Sequence, residues 1–261
     1  MTDTRDELIV TQVDGLVVLR LNRPERLNAL SPDMLRHMES EVPRLVASSD
    51  VRAIMITGTG RAFCAGGDVG GMGGTANPEA TQAGMKAAHI WLRTLRASEK
   101  LVITAVNGAA AGGGFGLAMI GDLIVASESA FFKAGFAELG AAADFGLAFT
   151  LPRAVGEVRA TEILFSDRRV AAKEALAIGM ISALLPADRF ADDALEYAQH
   201  MARVSRGTQL TKRLLRTDEV AAFARFLDAE ATTQAEAFQS HDFREGVAAF
   251  TEKRRPAFEG R

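Results

Sequence analysis

The 261-residue chain is predicted to be an α/β protein whose C-terminal third is helical. Three observations carry that prediction. Apolar, β-branched runs recur through the first half, glycine-rich turns follow two of them, and past about Gly146 the pattern changes to a helical period. In chain order, Leu16 to Leu21 alternates as a strand that Asn22-Arg23-Pro24 ends. Ser31 is placed to cap a helix with Pro32 in its first turn and Met34, Leu35, Met38, Val42 and Leu45 along one stripe. Val51 to Thr57 reads as a second buried strand, followed by a glycine-rich loop from Gly66 to Gly74. A helix from about Pro78 to Leu95 is expected to bury Met85, His89, Leu92 and Leu95. Val102 to Ala111 reads as one buried strand running into Gly112-Gly113-Gly114, with a helix starting through Phe115, Leu117, Ala118 and Met119. Asp122 to Ala126 and Ala130 to Phe132 read as short strands. Phe223, Phe226 and Leu227 mark one amphipathic helix. Phe243, Val247 and Phe250 mark another that ends in Lys253-Arg254-Arg255. No low-complexity linker interrupts the chain, which divides into a core over 1–200 and a helical region over 201–261.

Composition narrows the class. Hydrophobic residues at 48% and charged residues at 24% are ordinary for a soluble globular protein. Cys64 is the single cysteine, so no disulfide forms within the chain. A net charge of −3 offers no basic field, which argues against a nucleic-acid partner. The stretch Met1 to Glu7 is polar and acidic, unlike a secretory or transit peptide. No apolar run reaches the roughly 18 residues of a membrane helix. A cytoplasmic location without a membrane partner is the expectation.

The glycine triplet suits either a phosphate or a carbonyl oxygen that gains charge during reaction, because bare backbone N–H groups at a helix start can approach a ligand directly. The nucleotide motifs fail. No lysine follows a glycine as a P-loop needs, and Leu117 stands where the G-x-G-x-x-G pattern requires its last glycine. Asp144-Phe145-Gly146 has the letters of a kinase DFG without the accompanying segments. The histidines His37, His89, His200 and His241 lack metal-site spacing, and no metal ligand is assigned. What remains is a pair of turns, Ala65-Gly66-Gly67 and Gly112-Gly113-Gly114. Two N–H groups converging on one oxygen make an oxyanion hole. The competing reading is that these glycines only permit tight strand-to-helix packing.

Longer motifs bring in a resemblance. Leu21-Asn22-Arg23-Pro24 with Asn28-Ala29-Leu30, Ala62-Phe63-Cys64-Ala65-Gly66-Gly67-Asp68, Asn107-Gly108 through Gly114, and Arg244-Glu245-Gly246-Val247-Ala248-Ala249-Phe250 resemble the crotonase (enoyl-CoA hydratase/isomerase) superfamily. The resemblance implies a spiral of β-β-α units, assembly as a homotrimer or dimer of trimers, and an acyl-CoA thioester as substrate. Coenzyme A would enter as part of that substrate, with no permanently bound cofactor. It implies oxyanion donors at Gly67 and Gly113, and substrate or CoA contacts at Arg26, Ala29, Ala65, Gly66, Asp68 and Phe136. Phe250 and Lys253 match tail residues that reach the nucleotide of a neighbouring subunit.

The departures redirect the chemistry. Hydratases of the superfamily carry two glutamates, at the positions held here by Gly116 and Phe136. Neither residue can handle a proton. Instead, Phe136 through Gly146 and the tail segments Asp242 to Val247 and Pro256 to Gly260 resemble CoA isomerases of the phenylacetate pathway, in which the aspartate at the position of Asp144 is the acid/base. Phe136, Phe145 and Phe149 are expected to surround Asp144 and raise its pKa. An N-cap at a helix beginning near Phe145 is the alternative for Asp144. His89 matches the histidine base of 4-chlorobenzoyl-CoA dehalogenase, or is a buried core histidine. A hydratase with other residues, a dehalogenase-like hydrolase using Asp144 and His89, and a catalytically silent acyl-CoA binder stay open beside the isomerase.

Overall fold

The computed structural model describes residues 6–67 and 77–261. The glycine-rich loop beyond Gly67, Asp68 included, lies outside them. The first two strands, β1 (Leu8–Val13) and β2 (Leu16–Leu21), form a hairpin about Asp14-Gly15, whose φ values are 49° and 81°. Two consecutive left-handed residues are what a two-residue hairpin with native twist requires, so Asp-Gly was the local signal for the strand before Leu16.

Among the described residues two sheets alternate along the chain. The large one has the order β1-β2-β3-β5-β7-β10, with β3 Ala53–Gly58, β5 Leu101–Val106, β7 Leu123–Ser127 and β10 Ala183–Leu185. The small one has the order β4-β6-β8-β9, with β4 Ala62–Cys64, β6 Ala109–Ala111, β8 Phe131–Lys133 and β9 Arg169–Ala171. The single strand expected over 102–111 is therefore two strands in different sheets. Asn107-Gly108 makes the corner, and a Cβ on Gly108 would sit 2.1 Å from the Arg61 carbonyl oxygen. β9 and β10 were not expected, because three residues carry no period to read.

The continuous apolar runs follow from burial on both faces. Val17, Leu19, Ile54, Ile56, Val102 and Val106 point into the main core, which also takes Met34, Met38, Val42 and Leu45 of α1 (Pro32–Ala47). The alternate residues Leu16, Val18, Ala53, Met55, Ile103 and Ala105 meet Phe190, Ala194 and Ala198 of a later helix, Phe190–Ala202, on the other face. Ser31 Oγ accepts from the Met34 N–H at 3.0 Å, as its N-cap position predicts. In α2 (Pro78–Ala97), His89, Leu92 and Leu95 are buried and Met85 is half-buried. After β6 comes α3 (Gly113–Ala118), and after β8 come α4 (Leu147–Val155) and α5 (Glu157–Ser166). The chain continues through α6 (Ala172–Ala177), α7 (Phe190–Ala202), α8 (Arg206–Leu215), α9 (Glu219–Ala237) and α10 (His241–Glu252).

The C-terminal helices are built into this body. Phe223 and Leu227 of α9 join the main core. Lys212 and Arg216 reach Asp122 at 2.7 and 3.0 Å, and Arg216 and Arg96 both pair with Glu219. This ion network ties α8 and α9 to the end of α2 and the start of β7. Breaking one buried partner of such a network typically costs about 3–5 kcal/mol. Among the described residues no helix is long and apolar enough to cross a membrane.

Candidate active site

β4 and β6 are parallel neighbours, so their C-terminal ends lie side by side and the turns that follow them must meet. Two asparagines fix the start of β4. Asn28 Nδ2 donates to the Thr59 and Ala62 carbonyls at 2.9 and 2.8 Å, and Asn107 Nδ2 donates to the Gly60 and Ala62 carbonyls at 2.9 Å each. The segment carrying Asn28 also secures the first turn. Ala65 N–H donates to the Leu27 carbonyl at 3.0 Å and Leu30 N–H to the Gly66 carbonyl at 2.8 Å.

The glycines in the two turns have different reasons to be glycine. Gly112 has φ 53° and ψ −132°, a conformation closed to other residues. Gly66 has φ 93°, and a Cβ there would lie 2.9 Å from the Ala111 carbonyl oxygen and 3.1 Å from the Gly113 nitrogen. Gly113 opens α3, so its N–H has no acceptor within the helix. Gly114 packs against β4, where a Cβ would meet the Cys64 carbonyl oxygen at 2.1 Å. The packing explanation thus holds for Gly114, while Gly66, Gly67 and Gly113 line an open cleft of about 200 Å³.

Asp144 lines the same cleft. It is not an N-cap, because α4 begins at Leu147 after Gly146 and no side chain caps it. Part of the residue faces the cleft, yet Oδ1 is shut from solvent and makes no hydrogen bond among the described residues. Burial pushes the Asp144 carboxyl up to about 8, the Glu230 charge adds to the rise, and a hydrogen bond from the Gln234 side chain works against it. Phe136 and Phe145 are buried beside it as expected, whereas Phe149 packs against Phe223 and Phe226 of α9 and does not line the cleft. Burial also pushes the Cys64 thiol up to about 12, which leaves it a packed apolar residue at neutral pH.

The expected site residues separate into groups. Ala65, Gly66, Gly67, Gly113, Phe136, Asp144 and Phe250 come together around the cleft. Arg26, Ala29 and Lys253 are not among its lining residues. Arg26 is exposed on a short 3-10 turn, Ala29 is buried with its carbonyl accepting from Arg23, and Lys253 is exposed as the left-handed cap of α10. Phe250 walls the cleft of its own chain, because Gly246 lets α10 settle against Leu139 and hold that face over the site. His89 does not line the cleft. It is buried, with Nε2 at 2.9 Å from Glu230 Oε1.

Glu230 and Gln234 were missed. They lie on the buried stripe of α9 at 223, 227, 230 and 234, so two polar residues at core positions of an amphipathic helix were the available signal. Lys133 and Glu138, paired at 2.6 Å, and the stacked rings of Phe238 and Phe243 complete the walls.

Neither glutamate position of a hydratase can be refilled without change. Phe136 occupies one. At Gly116, a Cβ would sit 2.6 Å from Phe145 Cβ and 2.8 Å from the Asp144 carbonyl oxygen.

Residues 11–261 match the family described as enoyl-CoA hydratase/isomerase. The chain is 35% identical over 260 residues to 1,2-epoxyphenylacetyl-CoA isomerase of Escherichia coli K12, covering 98% of this chain and 99% of that one. It is 37% identical over 250 residues to a probable enoyl-CoA hydratase of Rhodobacter capsulatus, covering 95% and 96%. Among solved structures, an enoyl-CoA hydratase/isomerase from Pseudoalteromonas atlantica superposes with a TM-score of 0.88 at 29% identity, covering 97% of this chain and 100% of that one. Sequence, fold and the paired glycine turns agree: the chain belongs to the enoyl-CoA hydratase/isomerase family.

Proposed function

We propose that this protein is an enoyl-CoA isomerase in which Asp144 shuttles a proton and the N–H groups of Gly67 and Gly113 hold the thioester oxygen. The observation that supports it most is the buried Asp144 carboxyl beside the glycine turns, where the two hydratase glutamates are replaced by Gly116 and Phe136. In a 3-enoyl thioester, the ionised carboxylate takes a proton from C2. The electron pair of that C–H bond moves toward the thioester oxygen, forming a dienolate whose negative oxygen accepts from both N–H groups. The dienolate then collapses, C4 takes the proton back from the Asp144 carboxylic acid, and the double bond ends between C2 and C3. One group must be base and then acid, so a carboxyl raised to about 8 suits both halves. Each oxyanion donor is worth about 3–4 kcal/mol in such a transition state.

Contacts of Arg26 and Lys253 with the CoA phosphates, and assembly as a trimer or dimer of trimers, belong to the same proposal. A second reading, water addition, is favoured by the relatives named as hydratases at similar identity. Incubating the protein and an Asp144→Ala variant with 2- and 3-enoyl-CoA esters in D2O separates the two. The proposal expects double-bond migration with deuterium uptake that disappears in the variant. Water addition that survives the substitution would establish the second reading, and tight binding without turnover would mark a silent binder.

A further inference from the structure

The segment Ala142 to Gly146 that carries Asp144 has no regular structure between a 3-10 turn at Ala137–Leu139 and α4. Phe145 has φ 52° and Gly146 has φ 72°. A bulky residue in the left-handed region is held there only when its surroundings over-determine it. The Phe145 ring packs edge-on against Trp91, with centroids 6.0 Å apart. The backbone is held from α9. Gln234 Oε1 accepts from Ala142 N–H at 2.8 Å and Glu230 Oε2 accepts from Gly146 N–H at 2.9 Å. These anchors lie two residues before and two residues after Asp144. Glu230 and Gln234 are one helical turn apart, so both face the segment from a single stripe. His89 of α2, fully buried, closes on the far oxygen of Glu230.

We propose that Glu230 and Gln234 are positioning residues that bracket Asp144, clamping the backbone on both sides of it and setting the balance between its acid and base forms. This rests on the reading of Asp144 as the proton shuttle. The two arms of the bracket oppose each other. The Glu230 charge disfavours the ionised carboxyl, while the Gln234 hydrogen bond favours it. Among the described residues, the other charged or titratable groups around the carboxyl come from three further elements: Cys64 of β4, Lys133 of β8, and Glu138 of the 3-10 turn Ala137–Leu139. Lys133 and Glu138 pair with each other at the cleft wall, and the Cys64 thiol stays neutral far above the working range. Glu230 and Gln234 are therefore the levers on Asp144 that act from behind the site.

The test is a titration of Asp144 that needs no turnover. Protein labelled with 13C at the aspartate side-chain carboxyl is titrated from pH 5 to 10 by NMR, and the Asp144 resonance is the one missing from Asp144→Asn. The wild-type midpoint is expected near 8. Glu230→Gln, which keeps an acceptor for the Gly146 N–H, should lower the midpoint by about one unit or more, and Gln234→Met should raise it. The ascending limb of the isomerisation rate against pH should move with each midpoint. Midpoints that stay put, or that move in the same direction in both variants, overturn the bracket. If Glu230→Gln does not fold, the upward shift in Gln234→Met alone decides. Opposite shifts in a protein that isomerises no enoyl-CoA would keep the bracket and overturn the proposed reaction. Isomerisation lost in Asp144→Asn with unmoved midpoints would do the reverse.

Discussion

Replacing Asp144 with asparagine should stabilise the protein, and the gain should grow with pH. Asparagine has the same shape and does not titrate. The native carboxyl keeps its proton until about pH 8, whereas in the unfolded chain it ionises near the ordinary value of about 3.9. Between those values the native state binds more protons than the unfolded state, so this group's share of stability falls as pH rises. It is fully present below about pH 4 and is lost as pH passes through 8. The maximum slope is about 1.4 kcal/mol per pH unit. From pH 5 to 7 the difference between variant and wild type should widen by up to roughly 3 kcal/mol, an upper bound because the residue partly faces the cleft. For a chain of this size that is on the order of 6–12 °C in Tm. Calorimetric melts of both proteins at pH 5, 6, 7 and 8 read the difference directly, since every other titrating group is common to the pair. A constant offset across that range would refute the reasoning, because it would mean that Asp144 is already ionised in the native protein. The same variant should lose proton transfer, which makes the site a place where stability is given up for chemistry.

The remaining predictions concern the glycines. Gly66→Ala places a methyl 3.1 Å from the Gly113 nitrogen at a left-handed φ, so turnover should fall by about 10²-fold or more with KM changed far less. Steady-state kinetics on the preferred enoyl-CoA would check it, and unaltered turnover would remove Gly113 from the oxyanion proposal. Installing both hydratase glutamates, Gly116→Glu with Phe136→Glu, should not create a hydratase. The new side chain at 116 overlaps Phe145 Cβ and the Asp144 carbonyl, which should cost about 1–3 kcal/mol or more in denaturant unfolding. Hydration of a 2-enoyl-CoA by a stable double variant would show that the 144–146 segment yields freely.

Much of this protein was legible residue by residue. The β2 strand runs over the expected Leu16–Leu21, α1 begins after Ser31 with Pro32 in its first turn, and the two glycine turns, Asp144 and Phe136 do share one cleft. Each of these rests on chemistry within a few neighbours: a period, a cap, a residue type that alone tolerates a backbone angle. What could not be read depended on distance. The corner at Asn107-Gly108 exists because β5 and β6 pair in different sheets. The polar stripe of Glu230 and Gln234 gains its meaning only by meeting Gly146 and Ala142 across 84 and 92 residues of chain. Phe250 walls the cleft because α10 settles on the turn before Asp144, and His89 lies outside the cleft, buried 2.9 Å from the Glu230 carboxylate of α9. Gly112-Gly113-Gly114 and Asp144 can be picked out in the chain itself, since backbone angles and ionisable groups are local properties. The field around the carboxyl is decided by helices packed from far along the chain, so only the assembled tertiary structure places it.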